Sequence, residues 1–475
     1  YMMHQRMGFY VSKNGKLLTI AFYGHTEDPF EKGGIGRVVR EVNKDGSYGP
    51  IYFIRYNSHT NWNASNTSFP FYKTSDDKAF IAACDELLGN TLVTLQWRDE
   101  DNGLDGFYSG ERGGEAFSYY SRKDGKIVGF WKRSVTAISE DGGKHFSKTV
   151  KASTLTMAGG KVWAQQTEDE RYALSYNPID IDEYRYPLIV ISSDDGVIFD
   201  DMVLVQGEVP ARRFYGRWKD FGPCYVRGIV KGNGNPPGDD MWLTYSMNKE
   251  DMWVSKVPTP IRYTINGPVN DSFDQLIENG SITNWNIYSP KWAPVNVVKS
   301  PLSKGLSLQL ADEDPYDYAR AIRVFETSQN VEIKWDFMVP TNNNGLMEMD
   351  ITDQFGNRPI RLKLTESGDL IYLSGHTEVN LGKVNPEKWN SIKLNIHASV
   401  NGYFDLYWNG EMVGKMIPLT EAVKSVERIS FRTGNYRDLP NRKTPNEDPE
   451  PPLPGADEKV PLGVFYIDNV AVNPN

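Results

Sequence analysis

The chain has 475 residues and a formal net charge of −10, with 52 Lys and Arg against 62 Asp and Glu. Its hydrophobic fraction of 39% and aromatic fraction of 12% are enough to build cores, which excludes global disorder. The acidic balance argues against a nucleic-acid-coating protein, because neutralising phosphates needs surplus Lys and Arg. No apolar run reaches the ~20 residues of a membrane helix. The two cysteines, Cys84 and Cys224, make no disulfide framework and are expected as buried thiols. Tyr1–Tyr10 (YMMHQRMGFY) has no basic stretch leading into a long apolar run, so no signal peptide is visible. A first residue other than Met points to a processed or trimmed chain, from which any export signal is expected to be already removed.

The first half reads as short strands separated by turns. Gly8–Ser12, Leu17–Gly24, Gly36–Val42 and Ile51–Tyr56 form a four-stranded meander. A helical run is expected at Phe80–Leu88, flanked by strands at Thr91–Trp97 and Lys126–Lys132. Lys161–Thr167, Arg171–Pro178, Leu188–Ile191 and Met202–Val205 make a second clear meander. Tyr225–Val230, Met241–Ser246 and Met252–Val257 make most of another. Units of ~40–50 residues with four strands each predict a β-propeller over residues 1–262, and this length gives about five to six blades. Ser139–Phe146 (SEDGGKHF) and Ser192–Phe199 (SSDDGVIF) both fit Ser-x-Asp-x-Gly-x-x-Phe, one blade-length apart. In such a turn the Asp accepts backbone hydrogen bonds and the Gly takes a positive φ. Asn43–Ser47 is a degenerate third copy.

A linker begins near residue 261 and the texture then changes. Val331, Ile333, Trp335, Phe337 and Val339 alternate onto one face. Ile392–Ala398, Tyr403–Trp408 with its Asn409-Gly410 turn, and Phe465–Val472 continue the style. Residues 263–475 therefore read as an antiparallel β-sandwich similar to the concanavalin-type jelly rolls. Asn435–Val460 is Pro-rich and reads as a surface loop. Asp312–Asp317 (DEDPYD) is a candidate for structural Ca²⁺, although a solvated acidic loop is the commoner meaning of such a run.

Blade geometry sorts the loops. Connections from strand 2 to 3, and from strand 4 to the next strand 1, share one face. The Ser-x-Asp turns join strands 3 and 4 and so mark the opposite face. On the first face fall His25, Arg98, Asp99, Asn177, Tyr245 and Asn248 at strand-2 exits. Arg6, Asn57, Trp62, Glu208, Arg212 and Arg213 lie in links between blades. Tyr225 and Arg227 lie on a first strand. Carboxylates suit general acid and base work on a glycosidic bond. Arg forks suit a carboxylate or sulfate, and aromatic faces suit sugar rings. The catalytic candidates are His25, Asp99, Glu208 and Tyr245, and the rest are substrate-binding candidates. Any one of these is more often a solvated loop residue than a catalyst. His145, inside a turn, and Trp163, Trp242 and Trp253, on strands, read as structural.

The stretch Gly36–Asn57, the two Ser-x-Asp turns and Gly238–Pro258 together resemble the bacterial sialidase-like (BNR, Asp-box repeat) propellers. The resemblance implies a secreted or periplasmic carbohydrate-active enzyme with structural Asp141 and Asp194. Sialidases use an Arg triad, a Tyr nucleophile paired with Glu, and an Asp acid. Here Arg98, Arg212 and Arg227 would stand for the triad and Tyr245 with Glu208 for the pair, while the family's Phe-Arg-Ile-Pro motif is absent. The implied function is an exo-acting glycoside hydrolase removing a terminal acidic or deoxy sugar from a polysaccharide. A propeller-class polysaccharide lyase working through His and Tyr, and a non-catalytic glycan-binding protein, stay open. No cofactor beyond the Ca²⁺ candidate, no nucleic acid and no membrane span is expected.

Overall fold

The structure is a computed structural model. It describes residues 2–3, 8–24, 34–58, 60–97, 114–180, 185–214, 220–229, 239–262, 267–302, 304–434 and 453–474. The chain forms two compact units, one of Tyr1–Val209 with Arg217–Tyr263, the other of Pro210–Gly216 with Thr264–Asn475.

The described part of the first unit holds four small antiparallel sheets. In the first, Met2–Met3 and Gly8–Val11 both pair with Leu17–Gly24, followed by Gly34–Val42 and Tyr52–Tyr56. The second runs Ser118–Ser121, Ile127–Trp131, Val135–Ser139 and Val150–Lys151. The third runs Trp163–Gln166, Tyr172–Tyr176, Leu188–Ser193 and Asp201–Gln206, and the fourth Pro223–Gly228, Met241–Met247 and Asp251–Val257. First strands of successive sheets lie side by side. Ala164 N–H donates to Ser118 Oγ at 2.8 Å, and Gln165 Nε2 donates to the Ile229 carbonyl at 3.1 Å. Apolar cores fill the gaps between sheets, which is the propeller arrangement.

Three expectations change. The described residues of the first unit show four sheets; helices at Lys78–Gly89 and Thr91–Trp97 take up part of the length that was divided into five to six blades, and residues 98–113 lie outside the described residues. Helix α1 spans Lys78–Gly89, with Asp77 capping the N–H groups of Ala79 and Phe80. Thr91–Trp97, expected as a strand, is a second helix, α2. Asn90 explains it: its side chain accepts from Val93 N–H at 3.2 Å and its carbonyl accepts from Thr94 N–H. That cap overrides the β-branched composition of the segment.

The third change concerns the Ser-x-Asp turns. Both join third to fourth strands. In the first, Asp141 accepts from the N–H groups of Lys144 and His145, as anticipated. In the second the register slips by one. Ser193 and Asp195 form the turn, with Asp195 accepting from Val197 and Ile198 N–H at 2.7 and 2.8 Å. Asp194 turns away and pairs with Arg171. Arg171, whose side chain is only 8% exposed, also reaches Ser192 Oγ at 2.9 Å, the Ile261 carbonyl at 2.8 Å and Asp201 at 3.1 Å.

The second unit is a β-sandwich. One sheet runs Val295–Lys299, Leu306–Asp312, Gly463–Pro474, Asn330–Met338, Asn390–His397, Tyr403–Trp408 and Glu411–Pro418, with Val269–Asp271 also pairing Gly463–Pro474. The other runs Trp285–Tyr288, Arg320–Ser328, Val426–Thr433, Met347–Thr352, Ile360–Leu364, Asp369–Ser374 and Thr377–Lys383. Val331, Ile333, Trp335, Phe337 and Val339 all enter the core between them. Asn409 and Gly410 take positive φ values of 52° and 86° in the predicted hairpin turn. Most of the predicted Pro-rich loop lies outside the described residues. The Asp312–Asp317 carboxylates accept from their own turn and from neighbouring hydroxyls: Asp314 takes Tyr316 and Asp317 N–H, Asp312 takes Thr433 Oγ1, and Asp317 takes Tyr288 Oη.

Two predictions follow from these contacts. Arg171→Ala should destabilise the first unit by about 2–3 kcal/mol, since one buried guanidinium serves several partners. Asp194→Ala, at a 69% exposed partner, should cost about 0–1 kcal/mol. Urea denaturation of the two variants checks the ordering. Burial, with the neighbouring Asp314 and Glu313 charges, pushes Asp312 up to about 6. Its folded value lies above the unfolded one, so its contribution to stability is full below about pH 4 and lost as pH rises through about 6. Asp312→Asn should therefore gain on the parent by about 1–3 kcal/mol between pH 4 and pH 7, read from urea midpoints.

Candidate functional site

On the face where strand 2 leads into strand 3, residues of the third and fourth sheets converge. The fourth sheet's first strand carries a bulge between Cys224 and Arg227, where Tyr225 takes a positive φ of 59°. A bulge turns one side chain out of the ladder, and Tyr225 is 37% exposed while both its neighbours are buried. The Lys161 ammonium sits 4.2 Å from the Tyr225 ring centroid and that of Lys249 5.2 Å from it. Lys249 Nζ also pairs with Asp220 at 2.9 Å, and Arg185 Nε approaches the same carboxylate at 3.7 Å. Burial pulls the Lys249 pKa down, but Asp220, Tyr225 and Cys224 outweigh it and the net shift is upward, so the group stays cationic. Among the described residues, Arg185 Nη1 is buried with no hydrogen-bond partner. Three basic groups thus surround one carboxylate and one phenol ring, which suits an anionic ligand.

Backbone joints hold this cluster. Asn177 Nδ2 donates to the carbonyls of Arg185 at 2.6 Å, Pro187 at 3.1 Å and Pro223 at 3.4 Å. Asn248, itself at φ 52°, accepts Gly222 N–H on its side chain at 2.8 Å and donates its own N–H to the Gly222 carbonyl. Gly222 has φ 94°, and a Cβ there would lie 2.7 Å from the Arg185 carbonyl oxygen. Only glycine fits that approach.

The sequence-derived candidates divide. Tyr225, Asn177 and Asn248 belong to this cluster, the last two as scaffold. Arg227 lies beside it, its guanidinium 5.8 Å from the Trp163 ring. Tyr245 is a correction: it is 1% exposed in the core, and its hydroxyl is 2.7 Å from Ser255 Oγ. Asn57 is buried and donates to the Gly34 carbonyl at 2.8 Å, and Trp62 packs against the core of Ala21, Tyr23, Ile35, Val38 and Phe53. Glu208 is part-exposed, and Gln206 Nε2 donates to its carbonyl. Arg212 and Arg213 lie in Pro210–Gly216, which groups with the second unit, and Arg213 stacks on Phe214. Arg6, His25, Arg98 and Asp99 lie outside the described residues. Sequence reasoning missed Lys161, Arg185, Asp220 and Lys249. Each sits in a loop or next to a strand end of the same face, so extending the loop sorting by a residue or two finds them. Among the described residues, no three His, Cys, Asp or Glu side chains gather as a metal site.

Comparison with known proteins agrees with this architecture. Residues 1–114 match the family model for the BT_1020-like, N-terminal beta propeller. Residues 285–448 match the model for the sialidase-like CBM domain. A solved structure named sialidase aligns with a TM-score of 0.91 and 37% identity, over 100% of this chain and 43% of that one. The chain is sialidase-like in fold. It spans less than half the length of that solved protein. Much weaker matches are Trypanosoma rangeli sialidase in complex with sialic acid (TM-score 0.26, 9% identity, 97% of this chain, 67% of that one) and an endo-beta-1,4-glucuronan lyase from the fungus Trichoderma reesei (TM-score 0.29, 13% identity, 42% of this chain, 94% of that one). No curated protein matches.

Beside the cluster of this sialidase-like chain, Cys224 is 1% exposed, and burial pushes its thiol up to about 12. It should not react with an aromatic disulfide reagent at pH 8 in the native protein. Gly222→Ala should lower stability by roughly 1–3 kcal/mol, through a strained φ and a backbone clash. The same change should open Cys224, whose Sγ lies 3.3 Å from the Gly222 carbonyl, to the reagent. Labelling rates measured on parent and variant check both statements.

Proposed function

We propose that the chain carries an exo-acting glycosidase site of the sialidase-like type, taking a terminal acidic sugar from a larger glycan. The observation that supports this most is the convergence of Lys161, Arg185 and Lys249 around Tyr225 and Asp220. A sugar carboxylate is the anion such a cluster accommodates, with the Tyr225 ring against the apolar face of the sugar. Asp220 holds Lys249 and Arg185 in place, so the cations are oriented before the ligand arrives. Arg227, on the same strand as Tyr225, extends the basic lining. His25 and Asp99, which lie outside the described residues, are kept as the proposed proton-transfer groups, with Glu208 as the accompanying carboxylate. The buried Tyr245 hydroxyl leaves Tyr225 as the tyrosine nearer the substrate. The solved sialidase at 37% identity supports the reaction class, and the sialidase-like CBM match supports a glycan as the partner. A periplasmic or secreted location follows from that substrate and is part of the same proposal.

Lys249→Met and Lys161→Met should each raise KM for a sugar-acid glycoside by about tenfold or more, the loss of one charge-assisted contact. The neutral alcohol analogue should lose little. Steady-state kinetics with mass analysis of products is the measurement. An unchanged KM in both variants removes the anion site. An unsaturated, ultraviolet-absorbing product with no incorporated water replaces hydrolysis by elimination.

A further inference from the structure

The second sheet of the first unit brings further basic groups to the face that carries the propeller cluster. Its strands Ile127–Trp131 and Val135–Ser139 pair as far as Trp131 and Val135. The turn between them holds Arg133 at φ 62° and Ser134 at φ 61°. Two successive left-handed residues suit a tight hairpin, but Asn-Gly is the usual sequence for them. A Cβ makes that conformation costly, so its surroundings must hold it. The Arg133 N–H donates to the Ala158 carbonyl at 3.0 Å, and the Ser134 carbonyl accepts Ala152 N–H at 2.8 Å. The Ser134 hydroxyl donates to the carbonyls of Leu155 and Met157.

The fourth sheet uses the same construction. Asn248 and Lys249, at φ 52° and 54°, turn its second strand into its third, and the Asn248 N–H donates to the Gly222 carbonyl at 3.0 Å. That turn delivers Lys249 to the cluster, where Asp220 stands against Lys249 and Arg185. In the second sheet one carboxylate again stands against two cations. Glu115 Oε2 lies 3.7 Å from Arg133 Nη1 and 3.8 Å from Lys132 Nζ.

The two sets adjoin. Ala158, which accepts from Arg133, donates its own N–H to the Ile179 carbonyl at 2.9 Å. Ile179 lies in the loop that carries Asn177 and Arg185. Lys161 follows Ala158 by three residues, a span of at most about 10 Å. A Cβ at the intervening Gly160 would lie 3.2 Å from Asn177 Oδ1 and 3.9 Å from Arg185 Cδ, so this link packs closely on that loop. The two sets differ in exposure. Lys161 is only 6% exposed, whereas the Arg133 side chain is 57% exposed and its contact with Glu115 is longer than a hydrogen bond. Arg133 thus stands outside the inner cations with its fork of donors open to solvent. A guanidinium in that state suits a carboxylate held bidentately.

We propose that Arg133, with Lys132 beside it, forms a second anion subsite, which takes the carboxylate of the sugar next to the terminal one. The inner cations hold the terminal acid, and Arg133 meets the part of the glycan that projects outward. Glu115 positions both outer cations. This inference rests on the glycosidase reading above and narrows its substrate class to glycans in which two adjoining sugars are acidic.

Calorimetric titration of the full chain with two probe pairs tests it. Disialic acid is compared with sialyllactose, and digalacturonate with the same disaccharide esterified on its second ring. Each pair keeps the terminal acid and removes the charge of its neighbour. The parent should bind the doubly acidic member of a pair about three- to tenfold more tightly. Arg133→Asn, which tolerates the left-handed turn and removes the charge, should abolish that preference. Arg133→Lys should keep most of it. Lys249→Met should weaken both members of the pair and preserve their ratio. No preference in the parent, or a preference that survives in Arg133→Asn, overturns the second subsite. If Lys249→Met still weakens both members in that case, the terminal-acid reading stands alone. If Lys249→Met also changes nothing, that reading falls too.

Discussion

A blade sheet that stands between two others has two apolar faces, and both must be covered. The third sheet shows how strictly this holds. Its central strands Tyr172–Tyr176 and Leu188–Ser193 are buried at every position. Ala173, Leu188 and Val190 enter the core shared with the fourth sheet. Tyr172, Leu174, Ile189 and Ile191 enter the core shared with the second. Side chains alternate across a strand, so one sheet feeds two cores. Burying each such side chain is worth about 1.5–3 kcal/mol, and no sheet achieves it alone. The sheets must therefore stand side by side, with first strands adjacent, and that requirement carries the ends of strands distant in sequence onto common faces.

The candidate site depends on that requirement. Lys161 precedes the third sheet's first strand, Arg185 lies in that sheet's 2-to-3 loop, and Asp220 leads into the fourth sheet. Lys249 lies between the fourth sheet's second and third strands. They meet because the Trp163 and Val226 strands share a core. The loops themselves are kept in register by side chains rather than by a ladder. Asn177 gathers three carbonyls from two sheets, and Asn248 fastens Gly222 in both directions. Binding groups on loops become precise when such supports fix them beforehand.

How much of this a sequence reveals follows from what is local and what is not. The alternating strands of the sandwich were legible because polar and apolar residues trade places every second position. The fully buried blade strands were legible from their short apolar runs between turn residues. Thr91–Trp97 was misread because its β-branched composition suited a strand, while the deciding feature was a single preceding Asn. The second Ser-x-Asp turn offered two serines and two aspartates in a row, and only the long-range partner Arg171 determines which Asp leaves the turn. Tyr245 was misjudged although the signal existed. Met241, Leu243, Tyr245 and Met247 share one parity along their strand, so Tyr245 had to point with three apolar neighbours into the core. Tyr225 shows the converse, since a bulge breaks its parity and exposes it. Loop sorting can place Lys161, Arg185, Asp220 and Lys249 on this face, but nothing local says that they meet, since what joins them is the packing of separate sheets.

Net charge also takes on a different meaning at this scale. A chain of −10 repels an anionic polymer as a whole, but that repulsion is screened over ~8 Å at physiological ionic strength. What a ligand meets at contact is the local balance. In the propeller cluster Lys161, Arg185 and Lys249 stand against Asp220. On the same face Lys132 and Arg133 stand against Glu115. Burying a lone cation is costly, and a neighbouring carboxylate offsets much of that cost. The acids in these clusters are thus what allows basic side chains to be held, partly buried and oriented, in a protein that is acidic overall. A cluster of cations alone would swing into solvent or lose protons. Here Lys249, partly desolvated, stays charged because Asp220 is beside it. The same few carboxylates that lower the local positive charge are the condition for its being fixed in space, and a fixed charge is what can select one orientation of a sugar acid over another.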